Sequence, residues 1–241
     1  MKPDHAMAIL LDGPMQAWGS SSKFQRRETE SFPTKSGVIG LLAAALGIDK
    51  HTEDEVSRLE ILRTLKFSVY RVQPENSTAT PARLVDFHTV GGGWHDDWQA
   101  DKNNLRAKLQ VSCKAGDGSP FGTVITHRTY LVDMRFIAVL EGELNVLQNC
   151  GEALKNPVWG CWLGRKACIP SSLFLPTLAP TREAALSGLS EKLHTTSLQA
   201  WTIMEGLEQA DHESEGAWFQ NDQPVSFGSR DFEPRPIRRI L

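Results

Sequence analysis

The chain has 241 residues, of which 40% are hydrophobic and 23% are charged, and its formal net charge at pH 7 is −3. This composition is typical of a globular protein, and the sequence contains no run of about 18 uncharged apolar residues that could span a membrane. The slightly acidic charge excludes a uniformly basic nucleic-acid-binding protein, so any basic surface has to be local.

The predicted elements begin with a strand and a helix that are joined by a basic loop. HAMAILLDG (5–13) has the composition of a strand and ends at a Gly-Pro turn. SSSKFQRR (20–27) carries three cations and no acid. FPTKSGVIGLLAAALG (32–47) then predicts a helix, with Thr34 or Ser36 as its N-cap and a glycine at its C′ position.

The start of this helix combines a lysine, a serine and two glycines. Glycine inside a helix costs about 1 kcal/mol relative to alanine, so Gly37 and Gly40 indicate a close approach to a packed neighbour or to a phosphate. A helix start binds anions through its free N–H groups and partial positive charge, and Lys35 and Ser36 lie there. No glycine loop precedes Lys35, so a nucleotide-hydrolysing P-loop is not predicted. The two interpretations are a phosphate site, or tight packing beside a solvated lysine.

The next elements follow the order of a known fold plan. A second helix is predicted over 52–65, with a Thr-x-x-Glu capping box, and a strand over 66–72. Residues 129–142 alternate between an apolar face and a second face that carries Asp133 and Arg135. A helix is predicted over 143–157. The resulting order of strands and helices predicts an α+β domain of the βαββαβ ferredoxin-like type, a plan that RNA-recognition folds share.

A long segment, residues 74–125, separates the second and third of these core strands. A loop of this length in a compact domain is commonly functional, and we interpret it as an arm that projects from the sheet. Its cations and aromatic rings are interleaved, as binding of single-stranded RNA requires. These residues are Arg83, Phe87, Trp94, Trp98, Lys102, Arg106, Lys108 and Lys114. A solvated loop without such a role is the alternative.

The last third of the chain has weaker patterns. GCWLGRKACIP (160–170) is a glycine-flanked basic turn. A helix is predicted over 181–193, a strand over 197–206 and an acidic surface loop over 201–222. We expect this part of the chain to pack on the preceding domain.

The four cysteines, at positions 113, 150, 161 and 168, form no C-x-x-C pair. The N-terminus also lacks the apolar run of a secretory signal, so we expect free thiols and a reducing, cytoplasmic location. The wide spacing of the cysteines disfavours a zinc site. We expect neither a metal nor a cofactor.

The histidines raise the alternative of catalysis. His88, His127 and Lys35 could supply the general base and the cation that a metal-independent ribonuclease needs. A histidine beside threonine or arginine, as in FHTV and THRTY, is more often a residue that forms hydrogen bonds or stacks. Trp18 also has two interpretations, a stacking platform for a base or an aromatic side chain of the core.

Several blocks of the sequence together resemble one family. They are GPMQAWG after the first strand, FPTKSGVIGLLAAALGI, DFHTV, THRTYLVD, WLGRKACIP and FGSRDF (227–232). In this order, and over most of the chain, they are similar to the CRISPR-associated CasD family, the Cas-five subunits of the type I-E Cascade complex.

The resemblance implies a RAMP protein, which is a modified RNA-recognition fold with a β-hairpin thumb. On this chain the core would be residues 1–73 and 126–180, the thumb 74–125, and 181–241 a smaller C-terminal extension packed on the core. In the family, this subunit binds the 5′ handle of the crRNA and caps the backbone filament. It lies between the last backbone subunit and the large subunit, which recognises the PAM on target DNA. The implied role is RNA binding in antiviral defence, with no membrane contact and no small-molecule substrate.

The basic segments and the resemblance together predict a set of RNA-binding residues. They are Gln16, Trp18, Lys23, Arg26, Arg27, Lys35, Ser36, Gly37, Arg83, His88, Lys102, Arg106, Lys108, His127, Arg128, Arg165 and Lys166. No catalytic residue is expected, because the related subtype I-C nucleases look to carry a tyrosine where Lys35 stands, and type I-E systems use a separate Cas-six endonuclease. The alternatives are a metal-independent endoribonuclease that processes CRISPR repeat RNA, and a protein-only scaffold.

Overall fold

The computed structural model describes residues 5–20, 25–72, 82–90, 124–193, 202–205 and 217–240. Its helices within these residues are α1 (Lys35–Ala45), α2 (Glu55–Arg63), α3 (Leu144–Lys155) and α4 (Arg182–Lys192). The strands are β1 (His5–Gln16), β2 (Arg26–Arg27), β3 (Lys66–Arg71), β4 (Ala82–Val90), β5 (Val124–Gly142), β6 (Thr177–Ala179), β7 (Thr202–Glu205), β8 (Ala217–Ser226) and β9 (Asp231–Ile240). None of the helices in this described part is both long and apolar enough to cross a bilayer.

The described strands belong to one sheet. Its order is β6-β1-β5-β3-β7-β9-β8, and β2 and β4 also pair with β5. β1 and β3 lie antiparallel to β5 on its two edges. The helices α1 and α2 connect β1 to β3, and α3 connects β5 to β6. The predicted α+β class is therefore confirmed, and β7, β9 and β8 extend the sheet on the side of β3.

The central strands β1 and β5 are buried on both faces. On one face, side chains such as Ile9 and Phe136 pack with the apolar sides of α1, α2 and α3. On the other face, Ile137 and Val139 pack with α4. The predicted alternation places these two residues on the same face as Arg135, which is exposed. They are buried because α4 covers that face farther along β5.

The two ends of α1 agree with the sequence-based prediction. Thr34 has the extended conformation of an N-cap, and its Oγ1 accepts a hydrogen bond from the Gly37 amide at 3.2 Å. At the other end, Gly47 has a φ of +66°, the left-handed conformation that favours glycine after a helix. Local capping chemistry therefore sets both ends of this helix.

The predicted capping box of α2 is wrong. Thr52 Oγ1 donates to the Asp49 carbonyl at 2.7 Å instead of capping the helix. The carboxylate of Glu55 accepts hydrogen bonds from Ser226 Oγ at 2.7 Å and from the Phe227 amide at 2.7 Å. Glu55, which the sequence predicts to cap its own helix, thus holds the turn between β8 and β9 against α2.

The first part of β5 pairs with two further strands. β4 lies antiparallel to residues 124–132, and β2 pairs parallel with β5 at residues 127 and 128 on the opposite edge. We term β2, β4 and residues 124–132 of β5 the stem. The predicted arm, 74–125, is described only at residues 82–90, 124 and 125, and its remaining residues lie outside the described part of the chain.

The described cysteines are buried thiols. Cys150, Cys161 and Cys168 are free, which confirms the expectation for these three residues. Burial raises the pKa of Cys150 to about 12, so this thiol stays protonated at physiological pH. Cys113 lies outside the described residues.

Candidate nucleic-acid interface

The stem brings six of the predicted RNA-binding residues onto three adjacent strands. They are Arg26, Arg27, Arg83, His88, His127 and Arg128. In the pairing of β2 with β5, Arg26 lies opposite His127 and Arg27 lies opposite Arg128. On the other edge of β5, Phe87 lies opposite His127. Strand register thus brings three separate segments of the sequence together in the stem.

The stem has two faces of different composition. Residues directly opposite each other on neighbouring strands direct their side chains to the same face. One face therefore carries Arg26, His127 and Phe87, and the other carries Arg27 and Arg128. The Phe87 ring is 60% exposed and makes an edge contact with His127, with 5.5 Å between ring centroids. The first face therefore combines a guanidinium group with an accessible aromatic ring.

Arg83 and His88 occupy opposite faces of β4. Arg83 is exposed and shares the face of Phe87, because the two residues are four positions apart on a strand. His88 follows Phe87 and is half-buried on the other face, where it lies opposite Thr126. The side chains of His88 and His127 therefore lie on opposite faces of the stem, and they do not converge as an acid–base pair.

Arg165 lies beside the stem and is directed at its backbone. Its Nη1 donates to the Thr129 carbonyl at 2.9 Å, and its Nη2 donates to the Arg27 carbonyl at 2.6 Å. The guanidinium also lies over the ring of Tyr130, 4.8 Å from its centroid. The neighbouring Lys166 is exposed. Of the two predicted cations in this turn, only Lys166 is directed at solvent.

A cleft of about 430 Å³ lies between the first half of α1 and residues 160–165. The predicted RNA-binding residues in its lining are Trp18, Arg27, Ser36, Gly37 and Arg165. Three further lining residues are aromatic: Trp162, Phe227 and Phe232. A pocket of about 140 Å³ shares Ser36 and Phe232 with the cleft, so the space continues past the start of α1.

The aromatic lining of the cleft was missed by the sequence analysis. Phe227 and Phe232 are the first and last residues of FGSRDF, and their rings meet edge-on with 6.1 Å between centroids. A β-carbon at Gly40 would lie 3.5 Å from the Phe227 ring, an ordinary van der Waals distance, so the aromatic wall lies next to this part of the helix without requiring a glycine there. The spacing of the two phenylalanines around a glycine-containing turn could have indicated that their rings lie together. Trp162 carried no such signal.

The start of α1 does not present a free anion site. The Lys35 amide donates to Asp222 Oδ2 at 2.8 Å, and Asp222 is itself paired with Arg235 at 2.6 Å. The Lys35 side chain is fully buried, and its Nζ donates to the Arg63 carbonyl at 3.0 Å. The expectation of an accessible ammonium at this helix start is therefore wrong. The prediction of an acidic surface loop is also wrong for Asp222, which lies buried in β8 and supplies the carboxylate that the Lys35 amide contacts.

Gln16 and Trp18 are buried as well. Gln16 Nε2 donates to the Met134 carbonyl at 2.6 Å, and Trp18 Nε1 donates to Gln16 Oε1 at 2.9 Å. Trp18 is only 1% exposed, and a β-carbon at Gly37 would lie 2.7 Å from its ring. Gly37 is thus required by packing, and Trp18 is an aromatic side chain of the core. The expectation that these two side chains face a base is corrected accordingly.

Some predicted residues cannot be placed in this site. Lys23, Lys102, Arg106 and Lys108 lie outside the described residues, as do Trp94, Trp98 and Lys114. Among the residues that the structure describes, no group of three or more His, Cys, Asp or Glu side chains is arranged to hold a metal ion. The candidate interface therefore consists of the stem and the adjoining cleft.

Comparisons with known proteins identify the family. A model of the family described as "CRISPR-associated protein (Cas_Cas5)" matches residues 7–238. The CRISPR system Cascade subunit CasD of Escherichia coli (strain K12) is 31% identical over 178 residues, covering 71% of this chain and 70% of the relative. A chain of the solved structure "CRISPR RNA-guided surveillance complex" has a TM-score of 0.67 at 27% identity, covering 98% of this chain and 89% of that one. The structure "Crystal structure of Cas protein" has a TM-score of 0.59 at 29% identity, with coverages of 98% and 93%. The resemblance in the sequence is thereby confirmed, and the chain belongs to the Cas_Cas5 family of CRISPR-associated proteins.

Proposed function

We propose that this chain is a non-catalytic crRNA-binding subunit of a type I-E Cascade complex. It grips the 5′ handle of the crRNA, caps the backbone filament next to the large subunit, and serves RNA-guided recognition of target DNA in antiviral defence. The observation that carries this proposal is the register of the stem, which aligns Arg26, Arg27, Arg83 and Arg128 on three adjacent strands. Family membership and the Cascade assembly named for the CasD relative support it.

The stem and the cleft offer the two kinds of contact that single-stranded RNA needs. Guanidinium groups form charge-assisted hydrogen bonds with phosphate oxygens. The exposed ring of Phe87 provides a stacking platform, and such stacking is worth about 1–3 kcal/mol per base. The cleft adds the aromatic side chains of Trp162 and Phe232 close to Arg27. We therefore expect the handle to run along the stem and to enter the cleft.

The strand order supports the ferredoxin-like part of the proposal. The order β6-β1-β5-β3, with helices after β1 and after β5, agrees with the arrangement of a βαββαβ unit. The ribbon of β4 and β5 brackets residues 91–123, which agrees with a thumb over 74–125 inserted into a core of 1–73 and 126–180. One sheet face is covered by α4 and the other by the remaining helices, so RNA is expected at the stem and cleft instead of on an open sheet.

The geometry of the candidate catalytic residues supports a binding role. A metal-independent ribonuclease needs a general base and a cation that converge on one phosphate. His88 and His127 lie on opposite faces of the stem, and Lys35 is buried against the Arg63 carbonyl. Incubation of the purified protein with labelled repeat RNA and EDTA is expected to leave the RNA intact. Specific cleavage that is lost in a His127→Ala variant would favour the nuclease.

The double variant Arg26→Ala/Arg27→Ala tests the proposed binding surface. The salt slope, which is the magnitude of the decrease in log K with log salt, falls by about 0.7 for each lost phosphate contact. The double variant is therefore expected to lower the salt slope by about 1.4 and to weaken binding. The measurement is the affinity of the full chain for a labelled single-stranded repeat RNA over a range of salt concentrations.

The matched control is Lys50→Ala/Lys155→Ala, which removes the same charge from exposed positions outside the stem and the cleft. This control is expected to keep a nearly unchanged slope. The proposal is contradicted if the two double variants have the same slope, because binding would then depend on net charge and not on the stem.

A further inference from the structure

The guanidinium of Arg165 is bound on several sides by the stem itself. Besides its bonds to the carbonyls of Thr129 and Arg27, its Nη2 lies 3.3 Å from the carbonyl of Glu28. The central carbon of the group, Cζ, lies over the Tyr130 ring at 4.8 Å from the centroid. One side chain thus connects β5 with β2 and with the residue that follows β2.

The turn that carries Arg165 is held close to the end of β1. The Ala17 amide donates to the Leu163 carbonyl at 3.0 Å, and the Cys168 amide closes the turn on the Arg165 carbonyl at 2.8 Å. Gly164 has a φ of +95°, and a β-carbon there would lie 1.8 Å from the Ala17 carbonyl oxygen. Only glycine permits this approach, so the origin of the Arg165 side chain is fixed relative to the sheet.

The strand β2 is short, and the bond from Thr129 Oγ1 to Glu28 Oε2 at 2.9 Å also holds the residue that follows it against β5. It consists of Arg26 and Arg27 alone, both exposed, and its pairing with β5 begins with the bond from the His127 amide to the Gln25 carbonyl at 2.8 Å. A two-residue strand on a sheet edge is marginal by itself. The bonds from Arg165 to the carbonyls of Arg27 and Glu28 therefore add to the contacts that keep it against β5.

We propose that Arg165 is a positioning residue that holds β2 on the stem and so orients the side chains of Arg26 and Arg27, and that it is not itself a phosphate ligand. The consequence for RNA binding rests on the proposed function, whereas the positioning of β2 does not depend on it. Lysine cannot replace this group, because an ammonium lacks both the planar fork that reaches several carbonyls and the flat face that stacks on tyrosine.

The test compares Arg165→Lys and Arg165→Ala in the full chain with a Lys166→Ala control. Hydrogen exchange measured without RNA is expected to be faster at the His127 amide and over residues 25–28 in both Arg165 variants and unchanged in the control. Although Arg165→Lys keeps the charge, its salt slope for repeat RNA is expected to fall by about 1.4, as in Arg26→Ala/Arg27→Ala. Adding Arg165→Lys to that double variant is expected to lower the slope no further.

The proposal is overturned if Arg165→Lys has the amide exchange rates and the RNA affinity of the wild type. It is also overturned if Arg165→Ala lowers the salt slope by about 0.7 and lowers it by the same amount again when added to the double variant, since Arg165 would then be a phosphate ligand. If Arg165→Ala does not fold, Tyr130→Leu removes the aromatic partner while keeping an apolar side chain at this buried position, and it is expected to give a smaller increase in the same exchange rates. Faster exchange in Arg165→Lys together with no RNA effect of Arg26→Ala/Arg27→Ala would uphold the positioning role and refute the proposed function.

Discussion

The start of α1 and the stem contain similar basic residues but place them in opposite surroundings. At the start of α1, Lys35 is fully buried and its amide N–H already donates to the carboxylate of Asp222. On the stem, Arg26 and Arg27 are exposed. The comparison teaches that a cation in a sequence indicates a binding site only where the fold leaves it accessible. Burial without a partner is costly, so a buried cation is found with its partners inside the protein.

The carboxylate at the start of α1 comes from a strand 187 residues farther along the chain. Arg235 donates to it from Nε at 2.6 Å and from Nη2 at 3.0 Å, and both side chains are buried. Together with the bonds from Glu55 to the β8–β9 turn, this network joins the C-terminal hairpin to α1 and α2. Its role is to hold the fold together.

The largest expected effect is on stability, in the variant Asp222→Ala. This change leaves the guanidinium of Arg235 buried without its counter-charge and removes the acceptor of the Lys35 amide. Breaking a buried ion pair in this way costs about 3–5 kcal/mol, and we expect a loss of that size in the free energy of unfolding measured with urea.

Arg27→Ala is the comparison on the stem, and it is expected to change the free energy of unfolding by no more than about 0.5 kcal/mol. The double variant Asp222→Asn/Arg235→Met removes both charges and should cost less than Asp222→Ala, because no uncompensated charge stays buried. Equal stability of Asp222→Ala and the wild type would show that the Asp222–Arg235 pair does not stabilise the start of α1.

An intermediate effect is expected at the two glycines of α1. In Gly37→Ala the new β-carbon would lie 2.7 Å from the buried Trp18 ring, and overpacking of this kind costs about 1–3 kcal/mol. In Gly40→Ala the nearest atom is the Phe227 ring at 3.5 Å, an ordinary contact, and the gain in helix propensity is about 1 kcal/mol. The Tm of Gly40→Ala in thermal unfolding should therefore be higher than that of Gly37→Ala. The reverse order would show that Gly37 is not kept by packing.

The smallest expected effect is on RNA binding by Lys35→Met. Methionine roughly preserves the buried volume, and the lost ammonium donates to a backbone carbonyl inside the protein. The salt slope for repeat RNA is expected to stay at the wild-type value below the unfolding temperature, whereas Arg27→Met is expected to lower it by about 0.7. A slope that falls equally in both variants would restore the phosphate site at the helix start.

Much of the fold was predictable because it follows from local rules. The cap at Thr34, the left-handed Gly47 and the apolar periodicity of α1 and α3 each depend on a few neighbouring residues. The order of strands and helices then restricted the chain to an α+β sheet. The second buried face of β5 did not follow, because α4, which covers it, is separated from β5 in sequence.

The candidate site was predictable by segment more than by residue. Residues 25–27 of the basic loop, the THRTY block and the GRK turn do adjoin each other around the stem and cleft. Within those segments, Trp18 and Lys35 proved to be buried, and Arg165 is directed at carbonyls. Composition records that a cation or an aromatic ring is present, but not which neighbours it meets after folding.

The sequence alone determined the kinds of element and their order, since helix caps, glycine conformations and hydrophobic periods are properties of a few consecutive residues. The tertiary structure alone decided which charges reach the surface. Distant strands and turns return to α1 and β5, where they supply a carboxylate to Lys35 and an arginine to the carbonyls of β2. Whether a polar group faces solvent depends on those long-range partners, because burial and hydrogen bonding are settled between segments that are far apart along the chain.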